Sequence, residues 1–276
     1  MRNGIIMGAL ALALAGGAIA RPQPPAAPGQ TPAQPAQKTR RPKSKEEGQA
    51  VNAMLQAATP DARIAAAEDF VVKFPQSDFK ALAYFAEAQG YQEKNDYDHL
   101  VVSGEQALES DPDDSTKVED QLLLARAIAL KTAEFDLDRE EKLTKVEKYA
   151  GGAMDMLKTM SKPYPALPDA QWEAAKAELT AQGHEALGLD QMVRKDYEKA
   201  IAEFKAASDA IKGSEPSYAV RLAGAYDGAG KYDDALAVCD KLLAVPNLPP
   251  AVKRAAEAER ARATKLKSSA PAAAKP

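Results

Sequence analysis

The chain has 276 residues, 45% hydrophobic and 28% charged, with a net charge of −4, one cysteine and two histidines. A single cysteine, Cys239, excludes an internal disulfide framework and a cysteine-built zinc site, and His99 and His184 have no metal-ligand residue three or four positions on. Alanine makes up about a fifth of the chain and aromatic residues only 6%, a composition that favours helix over sheet.

Met1 to Ala20 begins with one positive charge, Arg2, continues through an apolar stretch from Ile5 to Leu14, and closes on Ala18-Ile19-Ala20. That is the layout of a secretory signal cleaved after Ala20. The apolar run is broken by Gly8, Gly16 and Gly17 and is shorter than the ~20 residues of a spanning helix. Export to a bacterial periplasm or to the outside is the expectation; left uncleaved, the same segment would be an inner-membrane anchor. No cysteine follows the run to take a lipid, and a helical fold of this size needs no disulfide staples in such a compartment.

Seven of the 19 prolines lie in residues 21–43, interleaved with Ala, Gln and Gly, which predicts an extended, disordered linker. Residues 1–45 carry only basic charges, and residues 251–276 carry seven basic and two acidic side chains. The body between them is therefore strongly acidic, which argues against a nucleic-acid partner. The cluster Lys38 to Lys45 is a solvated linker run that could at most touch anionic lipid or an acidic wall polymer.

From Ser44 onward prolines punctuate stretches dense in Ala, Leu, Glu and Lys, as expected where each proline starts or ends a helix. Ser44 with Glu47, Thr116 with Glu119 and Asp138 with Glu141 have capping-box spacing, and Pro216 suits a first helical position. The spacing predicts helices over 44–58 and 61–74, over 116–132 and 139–160, over 169–192, and over 251–267. An insert falls around Phe135 to Asp138.

Residues 181–214 laid over 216–249 align Gly188 with Ala223, Gln191 with Tyr226, Tyr197 with Tyr232, Ala200 with Ala235 and Ala207 with Leu242. An earlier copy, 81–114, has Ala88, Tyr91, Tyr97, Leu100, Ala107 and Pro112 in the same register. These residues resemble the tetratricopeptide repeat family, with Tyr197-Glu198-Lys199-Ala200 and Tyr232-Asp233-Asp234-Ala235 as the most specific local signature. The tryptophan the family favours early in each repeat is replaced by Tyr84, His184 and Ala219. Phe74-Pro75-Gln76-Ser77-Asp78, followed by Tyr84 and Tyr91, also looks like the repeats of outer-membrane assembly lipoproteins of the same superfamily.

The resemblance implies an all-α, right-handed α-solenoid of antiparallel helix pairs over residues 44–267, with degenerate pairs at 44–75 and 114–162, a capping helix at 251–267 and a disordered tail at 268–276. Helix pairs of this length cannot bury their apolar faces alone, so neighbours must stack. Small residues at Ala88, Gly188, Ala200, Ala207, Ala223 and Ala235 are where helices approach most closely, and Cys239 takes a buried apolar slot. The first helices of each pair would line a concave groove, into which the register sends Phe85, Gln89 and Gln92, then Glu185, Leu189 and Met192, then Val220 and Asp227. No nucleophile, acid–base or phosphate-binding constellation occurs, and no cofactor is implied. The expected function is an exported, non-enzymatic scaffold that holds a protein or peptide partner in the groove. The alternative is a cell-envelope structural protein docking on anionic lipid or wall polymer through its linker and last helix.

Overall fold

The computed structural model describes residues 40–269; the expected signal at 1–20 and most of the expected linker (21–43) and tail (268–276) lie outside the described residues. Lys43 is not a free linker residue, since its Nζ donates to Gln76 O and pairs with Asp78, and Ser268 and Ser269 are helical rather than disordered. Eleven α-helices and no strand occur among the described residues. They are α1 (Lys45–Leu55), α2 (Pro60–Lys73), α3 (Lys80–Lys94), α4 (Tyr97–Glu109), α5 (Asp114–Lys131) and α6 (Arg139–Thr159). There follow α7 (Asp169–Arg194), α8 (Tyr197–Ala210), α9 (Ser217–Gly228), α10 (Tyr232–Leu243) and α11 (Pro250–Ser269).

Local chemistry accounts for the helix ends. Ser44 accepts a hydrogen bond from Glu47 N, Thr59 from Ala62 N ahead of Pro60, Asp96 from His99 N and Asp196 from Lys199 N. Two sequence expectations are corrected. The cap of α5 is Asp113, which accepts from Thr116 N at 2.9 Å, so Thr116 lies inside the first turn. Asp138 makes no side-chain cap; its carboxylate pairs instead with Lys142 at 2.9 Å. Pro216 stands just before α9, which starts at Ser217.

The hairpins α3–α4, α7–α8 and α9–α10 turn in one way. Asn95, Lys195 and Gly230 are all left-handed, and each is followed by a backbone bond back to the helix, from Asp96 N to Tyr91 O, Asp196 N to Gln191 O and Lys231 N to Tyr226 O. One turn recurring at the register positions is the backbone counterpart of the sequence repeat.

Each helix packs on its successor along the row, from α1·α2 through α10·α11. Odd-numbered helices also pack on one another, α1 on α3, α3 on α5, α5 on α7 and α9 on α11, whereas among the described residues no even-numbered helix packs substantially on the next even one. Helices in contact on one side and apart on the other make the row bend, with the odd helices inside. Apolar burial runs along it: Val51, Phe70, Phe85, Leu100, Leu124, Val146 and Ala186 belong to one cluster, and Ala200, Ile201, Phe204 and Ala225 continue it.

The small residues sit at the closest approaches. Ala88, Ala107, Ala200, Ala207, Ala223 and Ala235 are fully buried. A Cβ on Gly188 would lie 2.5 Å from Phe204 Cε1, and the ring of Tyr197 lies against Gly228 of the following hairpin. Tyr91, Tyr97, Tyr226 and Tyr232 are half-buried. Helix α7 is longer than the other helices because its first half also covers another hairpin. Leu179 lies over α5–α6, where Val118, Leu122, Ala153 and Leu157 form their own cluster.

Candidate interaction face

The structure divides the eight residues that the register sends to the groove. Gln92, Leu189, Met192 and Val220 are partly exposed. Phe85, Gln89, Glu185 and Asp227 are buried, which corrects the expectation that they present surface. The reason is the close packing of the odd helices. Helix α3 lies between α1 and α5, so Phe85 joins the core and Gln89 is left with a buried Oε1 that has no hydrogen-bond donor among the described residues; α11 covers Asp227. Replacing Phe85 with alanine should therefore cost about 3–5 kcal/mol of stability, read as a lower urea midpoint, and is no probe of partner contact.

Glu185 is buried but not isolated. Its Oε2 accepts from Arg126 Nε of α5 at 3.2 Å, and Arg221 Nε of α9 lies 2.7 Å from Oε1. The two arginines come from hairpins on either side of α7 and remain 30% and 25% exposed. Burial and then the Glu185 charge push the neighbouring Tyr218 phenol above its ordinary range. This carboxylate ties α5, α7 and α9 together where the backbones of the adjacent odd helices α7 and α9 stand farther apart than those of the other odd pairs. Side chains fill the space between α7 and α9, Ala181 packing with Tyr218 and Leu189 and Met192 with Leu222, Ala225 and Tyr226, while Gln182 is exposed and Val220 and Arg221 are partly exposed.

Arg126 escaped the sequence reading because it belongs to the degenerate hairpin. Its signal was there: one long cation in the run Leu122 to Leu130 demands an acid across the helix interface.

The end of α7 anchors the insert. Arg194 lies 3.1 Å from Asp190, 2.6 Å from Glu140 and 3.3 Å from Glu147, joining α7 to α6. Desolvation raises the Asp190 carboxyl to about 6 against the pull of Arg194. Lys195 reaches Glu134 at 2.6 Å, and Asp136 both accepts from Ala133 N and pairs with Lys142. The insert is held at its polar residues while Phe135 and Leu137 stand almost wholly in solvent, so neither side chain fills the inner face.

The remaining chemistry-bearing residues are structural. His184 Nδ1 is 2.7 Å from Glu203 Oε2, linking α7 to α8; His99 meets Asp96 at 2.8 Å and stacks on Tyr91. Cys239 is fully buried, and desolvation lifts its thiol to about 11. Among the described residues no group of His, Cys, Asp and Glu could hold a metal ion, and no helix is long and apolar enough to cross a membrane.

Hairpins turning alike, stacked in series with their first helices inside, define an all-α helical-repeat fold. No protein-family model matches the chain, and no curated protein does. Among solved structures, the chain is similar to a thermophilic tetratricopeptide repeat protein of Thermus thermophilus, at 19% identity over 77% of this chain and 98% of that one, with a TM-score of 0.49. It is also similar to Acl4, an assembly chaperone of RpL4, at 13% identity over 81% of this chain and 98% of that one, with a TM-score of 0.42.

Proposed function

We propose that the protein is a non-enzymatic scaffold that holds a protein or peptide partner on the inner face of its odd-numbered helices, and that it does so after export through the segment 1–20. The observation that carries the reading is the row of inner helices at α7 and α9, where Gln182 is exposed, Val220 is partly exposed, and the partly exposed Arg126 and Arg221 are both held by Glu185. Apolar anchors next to oriented, pre-ordered donors supply affinity and register to an extended or helical segment at low entropic cost. An all-α repeat with its inner helices presented along a row is suited to holding a segment of another chain.

Docking of the last helix on anionic lipid gains no support from its charges. On α11, Lys253 faces Glu257, Arg260 faces Asp240, Arg262 faces Asp227 and Glu259, and Lys267 faces Asp233, so most of its basic side chains are engaged.

The test uses affinity capture from the native source, followed by titration of the recovered protein against the purified full chain. Gln182→Arg combined with Val220→Arg sets bulk and charge on the inner face of α7 and α9 at positions outside the buried core. It should weaken binding at least about tenfold, near 1.4 kcal/mol, with the thermal melt unchanged. A partner bound equally well by the double variant removes the inner face at α7 and α9 from the mechanism.

A further inference from the structure

Helix α11 closes the row by packing on α9 and α10, yet of its 20 residues only Ala256 and Ala263 are fully buried. The shorter α8 buries Ile201 and Phe204 as well as its alanines. Val252, Glu259 and Leu266 are partly buried and share the inward face of α11 at helical spacing. Glu259 lies over Gly224 of α9, where a Cβ would come 3.5 Å from its Oε1. The apolar hold on this helix is therefore slight.

Charge supplies the rest. Arg260 Nε lies 2.5 Å from Asp240 of α10, Lys267 pairs with Asp233 at the start of α10, and Arg262 Nε stands 3.6 Å from the buried Asp227 of α9. Ala256, Arg260, Ala263 and Lys267 fall four, three and four residues apart, so one side of α11 repeats a small residue and a base in register with the end of the row. Apart from Asp227 these partners are at least half exposed, so each pair contributes little and weakens in salt. The tether, residues 244–249, is restrained. Pro246 and Pro249, with Pro250 opening the helix, limit its paths, and Asn247 is held left-handed at φ 57°.

We propose that the acidic end of the α9–α10 hairpin is a seat for a basic amphipathic helix, and that its occupant in trans is α11 of a second copy: two chains exchange their last helices and form a dimer. Every contact that α11 makes on its own α9 and α10 is available on those of the other chain, because exchange alters the tether and nothing else. A helix held by two alanines and exposed ion pairs lifts more easily than the rest of the row. Docking through a short tether acts at an effective concentration of about 1 mM, which exchange must match. An extended tether frees Asn247 of each chain from its left-handed conformation, and this moves the onset to about 0.1–1 mM chain.

Light scattering after size exclusion tests this on full-length chains at low salt. The wild type should be monomeric near 10 µM and mostly dimeric near 1 mM, and its dimer constant should weaken at least about tenfold in ~0.5 M NaCl. Asn247→Gly adopts the left-handed turn without strain, so it should weaken the dimer at least about threefold, which a dimer formed through any other surface would not register. Two charge-reversed chains complete the test. One carries Arg260→Glu with Lys267→Glu on α11, and the other Asp233→Lys with Asp240→Lys on the seat. Each alone sets like charges between α11 and either seat, its own or a second copy's, and should stay monomeric; mixed, they should form a one-to-one dimer at least about tenfold tighter than the wild type. Amide hydrogen exchange in α5–α6 equal to that of the wild type shows that the variants keep the body folded. A wild type monomeric up to about 1 mM overturns the exchange. So does a mixture that stays monomeric, or a dimer that forms equally well in either reversed chain alone.

Discussion

Asp120→Asn should make the protein more stable at pH 8.5, by about 2–4 kcal/mol, and leave it nearly unchanged at pH 4.5. Asp120 lies on α5 with no exposed surface, and neither carboxylate oxygen has a hydrogen-bond donor among the described residues. It sits beside Gly104 of α4, on the helix that packs against α3, α4, α6 and α7. Desolvation raises its carboxyl to about 8. The unfolded chain releases this proton near pH ~4. Between those values the folded chain keeps a proton that the unfolded chain has lost, so unfolding releases it and stability falls as pH rises. Above about 8 both states are ionised and the penalty is constant. Asparagine has the same shape and no such proton, so the variant loses this part of the slope. Glu119, half-buried and raised to about 7 by desolvation and then by Asp113, adds a smaller slope of the same sign that the variant retains. Urea unfolding curves at the two pH values decide the matter. Equal destabilisation of the variant at both would show that the carboxyl is held charged by a partner.

Gly188→Val should cost about 3 kcal/mol or more, while Gly151→Ala should gain about 0.5–1 kcal/mol. Both glycines are inside helices, and helix propensity alone favours replacing either. Their surroundings differ. A Cβ at Gly188 would fall 2.5, 2.7 and 2.9 Å from three atoms of the Phe204 ring, which is buried and cannot retreat. A Cβ at Gly151 meets nothing within 4 Å. Valine at 188 must push α7 from α8 and open the cluster of Ile201, Phe204 and Ala225. Thermal melts of the two variants should therefore move in opposite directions. A Gly188→Val protein as stable as the wild type would mean that the α7–α8 contact is looser than the packing of Phe204 requires.

Much of the architecture was legible in the residues. Prolines 60, 75, 112, 216 and 250 stand at or next to helix ends, and the pairing of Gly188 with Ala223, Tyr197 with Tyr232 and Ala200 with Ala235 returns as hairpins that turn alike at Lys195 and Gly230. Less of the interaction face could be read. A repeat register says which side of a helix points inward along the row, but not how near the next inner helix comes. Phe85 and Gln89 lost their surface to α1 and α5, and Asp227 lost its surface to α11. Arg126 gained a role because α5, irregular as a repeat, still lies beside α7. Capping was misread at Thr116 and Asp138 for a related reason: several acids near each start compete, and the backbone path decides between Asp113 and its neighbours.

The order of small, aromatic and apolar residues along the chain was enough to determine a row of helix pairs, because periodicity and the size of a side chain at a crossing are local properties. Which polar groups ended up paired, buried alone or open to solvent was decided only in the folded body. Burial depends on the distance between helices far apart in sequence, and the energy of a carboxyl group depends on whether a donor from another hairpin reaches it. Glu185 has two arginines; Asp120 has none.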